Sequence, residues 1–396
     1  MEDALTIPPR KCPFDPPELM AELRDREPVA KVRLWDGREA WLITKHAHAN
    51  AVLRDRRTSD DSTHPNFPSL SPGRPVPIVR RSFSRMDGRE HARLRTMVTP
   101  DFSEKRVERL RPHIQQVVDR QIDHLLATDR PADLVPEFAQ PISVIVLSDV
   151  IGIPRDAMGF YLDHAETLVS RTERSNKTGA ADGEMSAALD ALVTEQERAP
   201  GDNLIGRLVV EEVRRGRLSH DELVRMIHLL IVAGYENPAN MIGLGALSMI
   251  MYPEWARAIS TRPERLPALV EELLRYHSVA SHDGAPRVAA EDMTLGDATI
   301  RAGEGIVVYL ASANRDEDAF PNADELDLNR DARRHLAFGQ GVHMCVGRFL
   351  SRAQLQISLS TLGNRIPTLR LAVPIEEIPF REDMHSYGVH KLPVTW

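Results

Sequence analysis

Residues 338–347 read FGQGVHMCVG. One of only two cysteines in the chain, Cys345, stands there among three glycines, with His343 two places before it and Phe338 at the head of the run. Several chemistries use a thiol on such a bend. A buried structural thiol is the simplest, since free cysteine packs as a small hydrophobe, but it leaves the glycines idle. Zinc asks for three or four close ligands, and His343 with Cys345 supplies two. Covalent attachment of a c-type haem needs C-x-x-C-H, which is absent. A nucleophilic cysteine needs a base at hydrogen-bond distance, and a histidine two residues away points elsewhere more readily than at the sulfur.

The chain around this loop has 396 residues, 42% hydrophobic and 27% charged, enough to bury a large core. A formal net charge of −8 argues against wholesale binding to nucleic acid or anionic lipid. Cys12 and Cys345 lie at opposite ends, give no disulfide spacing and suit a reducing cytoplasm. The opening MEDALTIPPRKCPFDPP has acids and prolines where a secretory signal carries a basic start and an apolar run. The longest apolar region, 227–251, is interrupted by Glu236, Asn237 and Pro238. Its pieces fall short of the roughly 20 residues a bilayer span needs, so no membrane association is expected. With no internal repeat and no low-complexity linker, residues 1–396 read as one domain, expected to act as a monomer. Apolar spacing of three and four marks a helix over 103–127, through Val107, Leu110, Ile114, Val117, Val118, Ile122, Leu125 and Leu126. A second helix runs over 219–251 from the capping box SHDE, and a third lies near 263–276 with Pro263 in its first turn. Strand-like alternation is confined to 31–44 and 286–311, and SPGRPVP at 71–77 reads as a long loop. The class predicted is mainly α with a minor β part.

Ligation of a haem iron by the thiolate uses every residue of the loop. Such a ligand needs backbone N–H groups aimed at the sulfur and a chain flat enough to pass beneath a macrocycle. Gly339, Gly341 and Gly347 allow positive φ and close approach. Phe338 gives an apolar plate beside the sulfur, and His343 is placed to reach a haem carboxylate. The stretch closely resembles the haem-binding signature of the cytochromes P-450, and the resemblance extends over essentially the whole chain. It implies that family's fold, with haem b held between a long oxygen-groove helix and the cysteine loop, and Cys345 as the iron ligand. EELLR at 271–275 resembles the family's buried Glu-x-x-Arg pair, here Glu272 and Arg275, with Arg330 as the later partner. REHARLR at 89–95 resembles the helix whose His91 and Arg95 reach the haem propionates, and Arg287 matches the family's strand arginine.

By the same resemblance the reaction is reductive activation of dioxygen to hydroxylate an unactivated C–H bond. The long helix of the family reads Ala-Gly-x-acid-Thr, and here Ala233, Gly234, Tyr235 and Glu236 are followed by Asn237 and Pro238. The acid is kept, but a carboxamide replaces the hydroxyl. Pro238 lacks the N–H that would bond the Gly234 carbonyl, so the helix is expected to bend there and leave that carbonyl free. Glu236 and Asn237 are the expected catalytic residues. Arg333, Arg334, Arg348, Arg352 and Arg93 suit an acidic ferredoxin, and the lack of a dinucleotide fingerprint implies a separate ferredoxin reductase. The substrate implied is small to bulky and hydrophobic, a polyketide or macrolide of secondary metabolism. Its expected contacts are Val79, Ala233, Glu236, Asn237, Val279, His282, Met384 and His385. The alternatives are a peroxide-using, coupling or rearranging haem-thiolate enzyme, and a haem sensor without turnover.

Overall fold

The computed structural model describes residues 14–71, 82–173, 175–280 and 284–396. Its body is helical. Glu104–Ala127 opens on Ser103, whose side chain accepts from the Arg106 N–H, and packs against Arg348–Arg365. The predicted face is buried at Val107, Ile114, Val117, Val118, Ile122 and Leu125, whereas Leu110 is half-buried and Leu126 is exposed at the margin of the stripe.

The region 219–251 is two helices, His220–Gly234 and Glu236–Met251, not one. The first carries the predicted capping box of Ser219 and Glu222. The break falls at Tyr235, three residues before the proline expected to cause it. Splitting there places Pro238 in the first turn of a new helix, where N–H groups have no intrahelical partner. The roughly 3 kcal/mol charged for an interior proline is thereby avoided. Ser143 Oγ donates to the Tyr235 carbonyl at the break, at 2.5 Å.

The minor β part is a five-stranded sheet in the order Val29–Arg33, Glu39–Ile43, Gly305–Val308, Ala285–Ala289, Thr58–Ser59. Only the pairing of Glu39–Ile43 with Gly305–Val308 is parallel, in the register Ala40 to Gly305. The predicted strand regions thus resolve into the hairpin of Val29–Arg33 and Glu39–Ile43 and into four short strands between 285 and 308. Pro393–Thr395 lies between Ala132–Asp133 and Arg370–Leu371. The loop expected at 71–77 lies outside the described residues apart from Ser71.

A buried ionic cluster ties these parts together. Arg275 donates to Glu272 at 2.7 and 2.8 Å and to the carbonyls of Asn314 and Ala323. Arg330 reaches the same carboxylate at 3.0 Å. Arg275 is 0% and Glu272 1% exposed, so removing either member strands a charge away from water. The cluster pins residues 322–330 against Leu266–His277 and thus supports the cysteine loop that follows.

Candidate active site

The loop is closed by the Cys345 N–H, which donates to the Phe338 carbonyl at 2.8 Å. Gly339 and Gly341 adopt φ of +67° and +74°. A Cβ on Gly341 would stand 2.4 Å from the Leu53 carbonyl oxygen, so the loop lies flush on the end of the helix His46–Arg54. Gly347 differs from expectation, with φ of −81°, and its role is space and a donor. A Cβ there would sit 4.0 Å from the Cys345 sulfur, and the Gly347 N–H is aimed at that sulfur. Burial pushes the thiol up, against the pull of this N–H and of Arg95, Arg348 and Arg352.

Above the sulfur opens a cavity of about 440 Å³, walled mainly by apolar side chains such as Leu230, Val279 and Leu350. At one edge it meets Arg85, Arg95, Arg287 and His343. Sequence reasoning missed two acids here. Asp60 accepts from Arg85 at 2.6 Å and from Arg287 at 2.9 Å. Asp87 accepts from Ser59 and meets His343 Nε2 at 3.3 Å. Burial of Asp87 is outweighed by these partners, which hold its carboxyl well below the ordinary range. Arg95 donates to the Met344 carbonyl. His91 is not on the cavity wall: its ring nitrogens face the carbonyls of Phe83 and Val342 at 2.7 and 3.1 Å, and its ring packs 4.1 Å from that of His343. The edge suits a planar group bearing carboxylates. Three arginines face it, and His343 Nδ1 is buried without a hydrogen-bond partner. With a sulfur beneath and apolar walls around, these residues fit a haem.

The broken helix lines the same cavity at Ala233, Gly234, Glu236, Asn237 and Pro238. Asn237 Nδ2 donates to the Ala233 carbonyl at 3.2 Å, and Oδ1 is buried with no partner. The carboxamide therefore mends the broken turn and leaves a spare acceptor at the cavity. Glu236 is 3% exposed, accepts from Arg381 at 2.7 Å and is bonded by Ser386. Burial pushes its carboxyl up despite Arg381. Of the remaining expected substrate contacts, Val279 and His385 line the cavity. Met384 does not: it is core, in a β-bridge with Ser170. Val79 and His282 lie outside the described residues.

On the sulfur side, the arginines expected to receive a ferredoxin are mostly engaged. Arg352 makes two 2.6 Å bonds to Glu271 and lies over the Phe338 ring. Arg334 donates to the Ala319 carbonyl, Arg348 to that of Cys345, and Arg93 is held by Glu90 and Glu222. Arg333 is exposed but paired with Asp331. Arg54 and Arg89 are exposed and carry no ion pair among the described residues. Arg54 abuts Gly341, and the neighbouring Val342 is 61% exposed.

Comparison with known proteins agrees with this geometry. The Cytochrome P450 family profile matches residues 264–366. Cytochrome P450-SU2 of Streptomyces griseolus is 43% identical over 100% of this chain and 98% of its own. Pentalenic acid synthase of Streptomyces avermitilis is 40% identical over 98% and 96%. The crystal structure of mycinamicin VIII C21 methyl hydroxylase from Micromonospora griseorubida, bound to mycinamicin VIII, superposes with a TM-score of 0.94 at 37% identity, covering 98% of this chain and 99% of that one. A cysteine loop and a broken helix that line one apolar cavity, with likeness of this extent, place the chain in the cytochrome P450 family, among its monooxygenases.

Proposed function

We propose that the protein hydroxylates a C–H bond of a bulky, largely apolar substrate, a macrolide or other polyketide, with two electrons drawn from a ferredoxin and a separate reductase. The observation that carries this reading is that Cys345 and Asn237 line one and the same apolar cavity. A relative named for mycinamicin chemistry supports the macrolide class, and one named for pentalenic acid, which is not a polyketide, supports only a largely apolar substrate. Haem b, when bound, supplies reductive activation of dioxygen and transfer of one oxygen atom. Cys345 would ligate its iron, with the Gly347 N–H tuning the sulfur and Phe338 shielding it. Arg95, Arg287 and His343 would hold the carboxylates of the macrocycle, with Asp60 orienting Arg287 and Asp87 orienting His343. His91 supports the floor through the Val342 carbonyl.

On the roof, Asn237 Oδ1 accepts a hydrogen bond from water or from a substrate hydroxyl, and Glu236 holds the proton to be delivered. Val279, Ala233 and His385 shape the substrate end. Electrons enter on the sulfur side, where Arg54 lies beside Gly341 and the exposed, apolar Val342 and, with the exposed Arg89, suits an acidic ferredoxin. A free thiol ligand suits a reducing cytoplasm. The test is product formation by the haem-loaded protein with ferredoxin, reductase and NADH, after a spin-shift screen of macrolides and polyketides. A product heavier by one oxygen atom is expected. Equal product from peroxide with none from ferredoxin would move the protein to the peroxide-using class. Reduction without product from either source would make it a sensor.

A further inference from the structure

One carboxylate on the sulfur side holds two side chains against a single ring. Glu271, on the helix Leu266–His277, accepts two 2.6 Å bonds from Arg352 and one of 3.1 Å from His335 Nε2. The Ala337 N–H donates to His335 Nδ1 at 3.1 Å, which makes Nε2 the protonated nitrogen of the neutral ring and the donor to Glu271. Arg352 lies 4.6 Å over the centroid of the Phe338 ring, and the His335 ring stands 5.7 Å from it, tilted by 49°. Phe338 lines the same cavity as Cys345. Three arginines act on the Cys345 sulfur by charge, Arg95, Arg348 and Arg352. Arg95 and Arg348 bond the backbone carbonyls of Met344 and Cys345, and among the described residues Arg352 alone of the three is paired with a carboxylate. Burial of Glu271 opposes ionisation, but Arg352 and His335 outweigh it, so the carboxylate is charged at neutral pH. The next residue, Glu272, turns instead into the cluster with Arg275 and Arg330, so two adjacent acids serve separate partners.

We propose that Glu271 is a positioning residue for electron uptake: it fixes Arg352 and His335 on Phe338 and, as the one carboxylate paired to the arginines around the sulfur, lowers the reduction potential of the bound iron. The proposal rests on the monooxygenase reading, in which Cys345 ligates that iron. Reduction adds one electron to the iron and its sulfur, with no bond made or broken in the chain. A neighbouring cation therefore favours the step and a neighbouring anion opposes it. Arg352 without its partner would draw the potential up. Glu271 cancels most of that pull while keeping the guanidinium on the ring, so the aromatic plate is retained without the charge that would otherwise come with it. Because the pair is largely shielded from water, salt screens it little. Position and charge are separable by substitution: Gln at 271 keeps the size and the acceptor and loses the charge, whereas Asp keeps the charge and shortens the reach.

The test is a potentiometric titration of the haem-loaded, substrate-free protein with dithionite and mediator dyes, followed by absorbance. Glu271→Gln is expected to raise the midpoint by about 59 mV, tenfold in the ratio of ferrous to ferric protein. Arg352→Met should lower it, and the double variant, which loses a cation and an anion together, should lie between the two single variants and near the wild type. Glu271→Asp should stay near the wild type as well, since the charge remains, and it keeps the experiment decisive where the neutral variant retains haem poorly. A purely structural clasp predicts no such order: the two single variants would then share one direction, and the double variant would not return. A midpoint unmoved or lowered in Glu271→Gln, or a double variant no nearer the wild type than its parents, would overturn the proposal. The reduced carbon monoxide complex separates this outcome from failure of the underlying reading. Lack of the red-shifted band in the wild type would overturn the thiolate reading and the proposal with it. A band retained throughout, with unmoved midpoints, would overturn the part given to Glu271 alone.

Discussion

Cys345 and Asn237 line the same cavity, and each makes a separate demand on its surroundings. Replacing Cys345 with His should remove the red-shifted band of the reduced carbon monoxide complex; retention of the band would exclude this sulfur as the ligand. At Asn237 the side chain has two tasks, since Nδ2 closes a broken helical turn and Oδ1 faces the cavity. Asn237→Ala should keep the ferric spectrum and lower product formed per NADH consumed several-fold. Asn237→Thr should recover most of that loss, because a hydroxyl can bond the Ala233 carbonyl and still offer an acceptor. Full coupling in Asn237→Ala would reduce the side chain to a structural clasp.

At the level of elements, the contact of the cysteine loop with the helix His46–Arg54 decides whether the floor is flat. Gly341→Ala sets a methyl against the Leu53 carbonyl and burdens a left-handed backbone, so haem retention should fall at least about tenfold by transfer to an acceptor protein. The same helix carries Arg54. Arg54→Glu and Arg89→Glu should slow reduction by ferredoxin and flatten its salt dependence, with peroxide-supported turnover unchanged. The elements themselves were legible where a period had room to show. The three-and-four spacing of 103–127 and the capping box at Ser219 gave helices at the right places. Two-residue strands such as Thr58–Ser59 cannot display alternation, and the break at Tyr235 was misplaced because proline was taken as its cause and not as the residue it accommodates. In the site, Cys345 and Arg287 stand within local motifs. Asp60, Arg85 and Arg381 do not: Arg381 is 145 residues from Glu236, and nothing in the neighbourhood of either tells that they meet.

For the whole molecule, charge is as much an internal scaffold as a surface property. Glu271, between Arg352 and His335, is pulled from 4.5 to about 2 even though burial works the other way. At roughly 1.4 kcal/mol per pH unit this favours the folded state by on the order of 3 kcal/mol. A depressed carboxyl contributes in full above the unfolded value near 4.5, and the contribution is lost as pH falls toward 2. Glu271→Gln should therefore lower stability to urea at pH 7 and reduce the steepness of acid unfolding between those limits, as followed by circular dichroism. Arg352→Glu should destabilise too, in contrast to Arg54→Glu. Of the sheet, one further consequence concerns synthesis. The strand Glu39–Ile43 pairs in parallel with Gly305–Val308, so about 265 residues separate Ala40 from its partner Gly305. At about 5–20 residues per second a ribosome takes roughly 13–53 s to bridge that gap. For that interval the hairpin of Val29–Arg33 and Glu39–Ile43 leaves the ribosome with one hydrogen-bonding edge uncovered, a template for the wrong neighbour. Yield in a heterologous host is accordingly governed by chaperone capacity during translation as well as by the supply of haem.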